Sequence, residues 1–169
     1  RVEARHKIQS QELSKFPKGV LAVHNNKQAH FKSSLTLFDK PHNSRSRAFL
    51  KVQDGCNNFC TYCQIPYARG ASRSVPMDIV LQSVREIVQE GIAEIVLTGI
   101  HIGDYGKDID EDVSIASLIE KIMQDTPLSQ LRISSLEPSE VSSELIEVLI
   151  KYKHRVCDHF HLPLQSGND

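Results

Sequence analysis

From Ala48 onward, short β-branched runs and helical apolar stripes take turns along the chain, and this alternation most narrows the folds open to it. Ala48–Gln53 (AFLKVQ) reads as a strand. Pro76–Glu90 carries Val80, Val84, Ile87 and Val88 at helical spacing, with Pro76 near the start and Gly91 just past the end, which is how helices are punctuated. Glu94–Thr98 (EIVLT) predicts a short buried strand. Ile115, Leu118, Ile119 and Ile122 predict a second helix with Ser114 as its N-cap. Leu131–Ser135 (LRISS) predicts a third strand, Leu145, Ile146, Val148 and Leu149 a third helix, and His159–Leu164 a fourth strand. Strands recur roughly every 35 residues, a series of βαβ units that implies an α/β fold with a parallel sheet and helices on its outer face. Binding residues then belong at the C-terminal ends of the strands, in the loops after Gln53, Thr98, Ser135 and Leu164. Asp169 follows the fourth strand at once, and a barrel or half-barrel needs more units. The expectation is therefore a partial (β/α) barrel, truncated after about four β/α units, from a longer protein.

Residues 1–46 differ from this pattern. They are rich in Lys, His and Ser; Phe31–Phe38 has the look of a strand, and Asp39–Arg47 (DKPHNSRSR) that of a linker. A boundary is expected between 1–46, the tail of a preceding domain, and 47–169. The N-terminal residues RVEARHKIQS are polar and basic with no apolar h-region, and no apolar run approaches the roughly 20 residues of a membrane span. The expectation is a cytoplasmic chain, or one in another reducing compartment, with no membrane partner. Residues 1–75 carry 13 Lys/Arg against 4 Asp/Glu (+9), and residues 76–169 carry 7 against 17 (−10), which sum to the net −1. The acidic half suits solvated helix faces. The basic half holds a cysteine cluster, and positive charge beside a reactive centre suits a polyanion such as RNA.

Three of the four cysteines lie within eight residues, in Asp54-Gly-Cys56-Asn-Asn-Phe-Cys60-Thr-Tyr-Cys63-Gln-Ile-Pro66. Clustering in a reducing compartment points to metal or redox work and away from a disulfide framework. A 4Fe–4S cluster normally takes four cysteines. A C-x3-C-x2-C loop supplies three and leaves one iron open to a small molecule, as a catalytic zinc keeps an open position. S-adenosylmethionine (SAM) can chelate such an iron through its amine and carboxylate. Other readings stand beside this one. Three cysteines also suit a zinc site with His159 or His161 as fourth ligand, although zinc motifs usually come as two C-x2-C halves. Cys60-Thr-Tyr-Cys63 alone resembles a redox pair but leaves Cys56 without a role.

The C-x3-C-x-aromatic-C spacing after a first strand, with Tyr62 as the aromatic, resembles the radical SAM superfamily. Phe49–Gly70 (FLKVQDGCNNFCTYCQIPYARG), Glu94–Gly106 (EIVLTGIHIGDYG), Arg132–Val141 (RISSLEPSEV) and His161–Gly167 (HLPLQSG) resemble its methylthiotransferase family, and TGIHIGDYG resembles the branch acting on threonylcarbamoyladenosine in tRNA (MtaB-type). The match covers about residues 45–169. Gln64 departs from it, since the family usually has Ile or another apolar residue there. The resemblance implies a partial radical SAM barrel holding a 4Fe–4S cluster on Cys56, Cys60 and Cys63. It also implies SAM as cofactor, and a methylthio group inserted at carbon 2 of the modified adenosine at tRNA position 37. Isopentenyladenosine tRNA or a ribosomal protein side chain are the alternative substrates within the family. The resemblance further implies a second cluster on an N-terminal domain, a C-terminal TRAM domain for tRNA, an electron donor of flavodoxin or ferredoxin type, and a sulfur source. It implies that this stretch carries one cluster but cannot complete methylthiolation alone. Outside the family, the alternatives are an electron-transfer iron–sulfur protein and a zinc-binding RNA module.

Expected SAM contacts, with Tyr62, are Thr98 and Gly99 at the second strand end, Ser135 and Glu137 at the third, and Gln165 (with Ser166) at the fourth. Glu137 precedes Pro138 and so is expected in extended backbone. His101, His159 and His161 read more simply as structural hydrogen-bonders, and Cys157 as a buried hydrophobe. Arg69 and Arg73 suit a carboxylate or an RNA phosphate.

Overall fold

The computed structural model describes residues 46–110 and 112–167. The strand expected at Phe31–Phe38 and most of the linker lie outside them. Five strands and four helices are formed among the described residues: β1 (Arg47–Lys51), β2 (Gln53–Asp54), α1 (Ile65–Arg69), β3 (Arg73–Ser74), α2 (Met77–Gln89), β4 (Glu94–Thr98), α3 (Ile115–Asp125), β5 (Gln130–Ile133) and α4 (Ser143–Lys151). Short 3-10 turns at Ile102–Asp104 and Pro138–Glu140 sit in the loops after β4 and β5.

β1, β4 and β5 form a parallel sheet in the order β1-β4-β5. Arg47 pairs with Glu94 and Glu94 with Gln130, so the strands run in step and end close together. Alternation assigns the faces. Ala48 and Leu50, Ile95 and Leu97, and Leu131 and Ile133 enter one apolar core with Val80, Val84 and Ile87 of α2, Leu118, Ile119 and Ile122 of α3, and Leu145 and Val148 of α4. All three helices therefore cover one face, α2 against α3 and α3 against α4. On the other face Arg132 donates to Glu94 (Nε to Oε1, 2.8 Å) beside half-exposed Phe49.

Local chemistry explains the element ends. The Ser114 hydroxyl accepts from the Ser117 N–H at 3.1 Å, and the Ser117 hydroxyl accepts from the Ser114 N–H at 2.9 Å, a reciprocal cap at the start of α3. Ser142 caps α4 through the Leu145 N–H at 3.1 Å. Arg155 binds the carbonyls of Met123, Thr126 and Leu128 at 2.7–2.9 Å, so one side chain satisfies the end of α3 and the turn into β5.

Two expectations need correction. His159–Leu164 is not a strand. The fourth segment meets the sheet earlier, where Val156 bridges Leu131, with N–H···O bonds of 2.8 Å on each side. Further on, the Leu136 N–H donates to the His161 carbonyl at 3.1 Å, while Pro163 has no N–H to give a ladder and Phe160, Leu162 and Leu164 are exposed. The first strand is also split: Val52 separates β1 from β2, which turns away to pair antiparallel with β3.

Candidate functional site

The cysteine loop leaves the sheet at the C-terminal end of β1 and β2, and buried Gln53 fixes its foot. The Gln53 side chain is 0% exposed. Its amide donates to the carbonyls of Asp54 (3.1 Å) and Gly55 (2.8 Å) and to the Ser72 hydroxyl (2.9 Å), and its oxygen accepts the His101 N–H at 2.8 Å. A Cβ on Gly99 would lie 2.9 Å from that same oxygen, so a glycine is needed there for the loop after β4 to approach. Gly55 has φ +75°, and a Cβ on it would lie 2.1 Å from the Ala71 carbonyl oxygen. Only glycine lets the outgoing chain run this close to the returning one, where the Cys56 N–H donates to the Gly70 carbonyl at 3.2 Å.

The loop's thiols are all partly exposed. The Cys63 N–H donates to the Cys60 carbonyl at 2.9 Å, a turn that brings those two cysteines round, and the Asn58 N–H points at Cys56 Sγ at 3.4 Å. Burial pushes the Cys56 thiol up. The Asn58 N–H opposes this, while Asp104 and the other two cysteines add to it. Cys157 is at the other end of the sheet: its N–H donates to the Leu131 carbonyl at 2.8 Å, and Arg132, Glu94 and Arg47 influence its thiol. Three partly exposed thiols on one loop, with Cys157 buried elsewhere, are a donor set that fits a cluster held by three thiolates.

The other expected residues divide into groups. Tyr62 is 72% exposed, and its hydroxyl donates to Gln165 Oε1 at 2.6 Å. Glu137 lies near enough to raise the Tyr62 phenol, after the larger effects of desolvation and Cys60. Thr98 ends β4 with its carbonyl taken by the Val52 N–H at 2.9 Å. The Ser135 hydroxyl lies 2.6 Å from His161 Nδ1. His159 and His161 are exposed, and the His159 N–H donates to the Cys157 carbonyl at 2.7 Å. Arg69 (3.3 Å), Arg73 (2.8 Å) and Lys51 (3.5 Å) all meet the Asp54 carboxylate just before the loop. Burial raises that carboxyl, but the three cations and the Gly55 N–H outweigh it and hold it low.

Beside the loop is a group that local sequence patterns did not reveal. His101 Nδ1 lies 2.8 Å from Asp104 Oδ2, and Nε2 lies 2.6 Å from Glu140 Oε1. These side chains are 11%, 11% and 9% exposed. The Glu140 carboxylate, then Asp104, push the His101 ring up to about 9 against the effect of burial. Lys107 and His101 lower the Asp104 carboxyl against its burial. A raised histidine stabilises the fold fully below its unfolded value near 6.5, and the stabilisation fades as pH rises through about 9. Thermal melting of the apo chain should therefore show His101→Gln less stable than the unchanged chain at pH 6, with the gap closing by pH 10. A gap that stays constant or widens would contradict the ion pairs.

Residues 50–169 match the family model described as the radical SAM superfamily. Threonylcarbamoyladenosine tRNA methylthiotransferase MtaB of Rickettsia prowazekii (strain Madrid E) is 41% identical over 126 residues, 74% of this chain and 30% of that protein. The Bacillus subtilis (strain 168) protein of the same name is 45% identical over 128 residues, 74% of this chain and 28% of that protein. A tRNA-2-methylthio-N(6)-dimethylallyladenosine synthase of Lachnoclostridium phytofermentans is 38% identical over 122 residues, 72% of this chain and 26% of that protein. The chain thus spans about 30% of the length of these relatives. A solved structure of the radical S-adenosylmethionine methyltransferase TsrM from Kitasatospora setae, with cobalamin and a 4Fe–4S cluster bound, aligns with a TM-score of 0.48 and 20% identity over 60% of this chain and 19% of that one.

Proposed function

The chain belongs to the radical SAM superfamily, and from that premise we propose that it is the cluster-bearing part of a tRNA methylthiotransferase. Its substrate in this reading is N6-threonylcarbamoyladenosine at position 37, methylthiolated at carbon 2. The carrying observation is the Cys56–Cys63 loop at the C-terminal mouth of a parallel sheet, in a chain 41% and 45% identical to two proteins named for that reaction. Cys56, Cys60 and Cys63 hold the cluster and leave one iron for SAM. When bound, such a cluster would supply the reducing electron for cleavage of SAM.

The chain's own residues bind and orient. Backbone groups at Thr98 and Gly99 meet the SAM amine, with Gly99 held against Gln53. Ser135 and Glu137 accept hydrogen bonds from the ribose hydroxyls. Tyr62, joined to Gln165 at 2.6 Å, covers the loop from the solvent side and limits water entry. Arg69, Arg73 and Lys51 carry one more pair of positive charges than Asp54 neutralises, and this surplus faces the tRNA backbone. In the whole protein the sheet is part of a larger barrel, and residues 1–46 close the preceding domain, which holds a second cluster. An electron donor of flavodoxin or ferredoxin type and a sulfur source complete the cytoplasmic reaction. Among the described residues no helix is long and apolar enough to cross a membrane.

The dimethylallyladenosine relatives, at 38% and 39% identity, support a second substrate within the same chemistry. The full-length protein containing this chain, with its clusters reconstituted, should be given two tRNAs lacking the methylthio group. One carries threonylcarbamoyladenosine and the other isopentenyladenosine. Nucleoside mass spectrometry should find the methylthio product on the first. Product on the second alone overturns the substrate assignment, and product on neither overturns the function.

A further inference from the structure

We propose that His101 is a positioning residue that locks the cysteine loop and the loops after β4 and β5 into one mouth, and so sets the affinity for SAM without touching it. This rests on the reading that SAM binds at this mouth. The main chain of His101 is tied to the foot of the cysteine loop through Gln53 Oε1 at 2.8 Å. Its ring reaches the loop after β5 through Glu140 at 2.6 Å and stands 3.9 Å from Glu137. The other oxygen of Glu140 accepts the Glu137 N–H at 2.9 Å, so the ring fixes Glu137 through its neighbour. On the cysteine side, the Asn58 side-chain amide nitrogen packs 3.3 Å from Nε2, a contact and not a hydrogen bond while Nε2 carries the proton facing Glu140. Asn58 stands between Cys56 and Cys60, and its N–H is the one aimed at Cys56 Sγ.

The sequence is shaped for this close packing. A Cβ on Gly103 would lie 2.2 Å from Glu140 Cδ, so glycine makes room for the carboxylate. The charged groups facing the ring are Asp104, Glu137 and Glu140, with Lys107 on the far oxygen of Asp104 at 2.6 Å. Taking the ring away leaves two largely buried carboxylates without the cation between them, and they move to regain water or a partner. Glu137 loses its fixed position with them, and the Asn58 amide loses the ring it packs against. A metal ion does not explain the group equally well. Asp104 and Glu140 sit on opposite ring nitrogens, and an ion uses only one nitrogen of a histidine.

The test uses the reconstituted chain, reduced with dithionite and titrated with SAM, with the electron paramagnetic resonance of the cluster as readout. His101→Ala should load the same iron and sulfide as the unchanged chain and give the same spectrum without SAM. It should need at least about tenfold more SAM for the half-maximal spectral change. Glu140→Gln, which keeps the shape and removes one charge, should show a smaller loss of the same sign, and it decides the matter if His101→Ala does not fold. SAM half-saturation unchanged in a folded variant overturns the proposal, as does a loss of iron loading that matches the loss of SAM response. If the unchanged chain loads a cluster but shows no response to SAM, the functional reading itself falls, separately from any effect of His101.

Discussion

Alanine at Cys56, Cys60 or Cys63 is expected to abolish cluster loading, while alanine at Cys157 leaves it intact. Three thiolates on one short loop leave no spare ligand. The Cys56 N–H is held by the Gly70 carbonyl at 3.2 Å and the Cys63 N–H by the Cys60 carbonyl at 2.9 Å, backbone ties that do not depend on the thiols. Cys157 is buried at the opposite end of the sheet, on the Leu131 carbonyl. The triad cysteines are partly exposed and lie outside the apolar core, so the apo variants should melt within about 1 kcal/mol of the unchanged chain. Iron and sulfide per chain after anaerobic reconstitution, read beside apo melting, separates a lost ligand from a lost fold. Full loading in any triad variant, or loss in Cys157→Ala, would contradict the assignment.

Gly55→Ala is expected to cost about 2–5 kcal/mol and most of the cluster, whereas Gly91→Ala costs about 1–2 kcal/mol and none of it. Both glycines have left-handed backbone, φ +75° and +82°. A side chain therefore meets the same local strain at each, about 1–2 kcal/mol. Gly91, just past α2, has nothing within 4 Å of an added Cβ. At Gly55 the added atom would overlap the Ala71 carbonyl oxygen at 2.1 Å, and neither backbone segment can move without parting Cys56 from Gly70. That clash adds a cost like overpacking, about 1–3 kcal/mol. A loss of this size is a large share of a typical domain's 5–15 kcal/mol. Denaturant melts and iron content of the two variants, compared side by side, isolate the close approach from the φ strain. Equal effects at both positions would show that the approach to Ala71 does not matter.

The framework was readable because its signals are local. Glu94–Thr98 is a β-branched run between turn residues, and it forms β4 with those bounds. The apolar spacing of α3 and its Ser114 cap lie within one stretch, and both appear. The cysteine spacing named its own loop. His159–Leu164 misled because alternation around Leu162 and Leu164 looks like a strand, whereas pairing needs a donor at each rung and a neighbour to receive it. β2 and β3, two residues each, are too short for periodicity to register.

Most of the support around the cysteines was not legible. Gln53 is polar at the end of an apolar run and reads as the point where a strand surfaces. Its full burial follows from four hydrogen bonds to groups that folding brings in from Gly55, Ser72 and His101 as well as Asp54. As a lone histidine in a strand-end loop, His101 reads as a structural residue, and the sequence does not show which groups it meets. Its two partners, Asp104 and Glu140, come from different loops, and no spacing rule links His101 to Glu140. Gly55 and Gly103 carried the one available signal: a glycine beside a cysteine motif or in a strand-end loop marks a close backbone approach.

The most direct measurement is formation of 5′-deoxyadenosine by this chain. The protein is reconstituted with iron and sulfide without oxygen, reduced with dithionite and supplied with SAM, and the product is read by mass spectrometry. A brown protein that forms 5′-deoxyadenosine is expected, with none formed by Cys60→Ala. A colourless protein holding stoichiometric zinc and forming none would contradict this expectation.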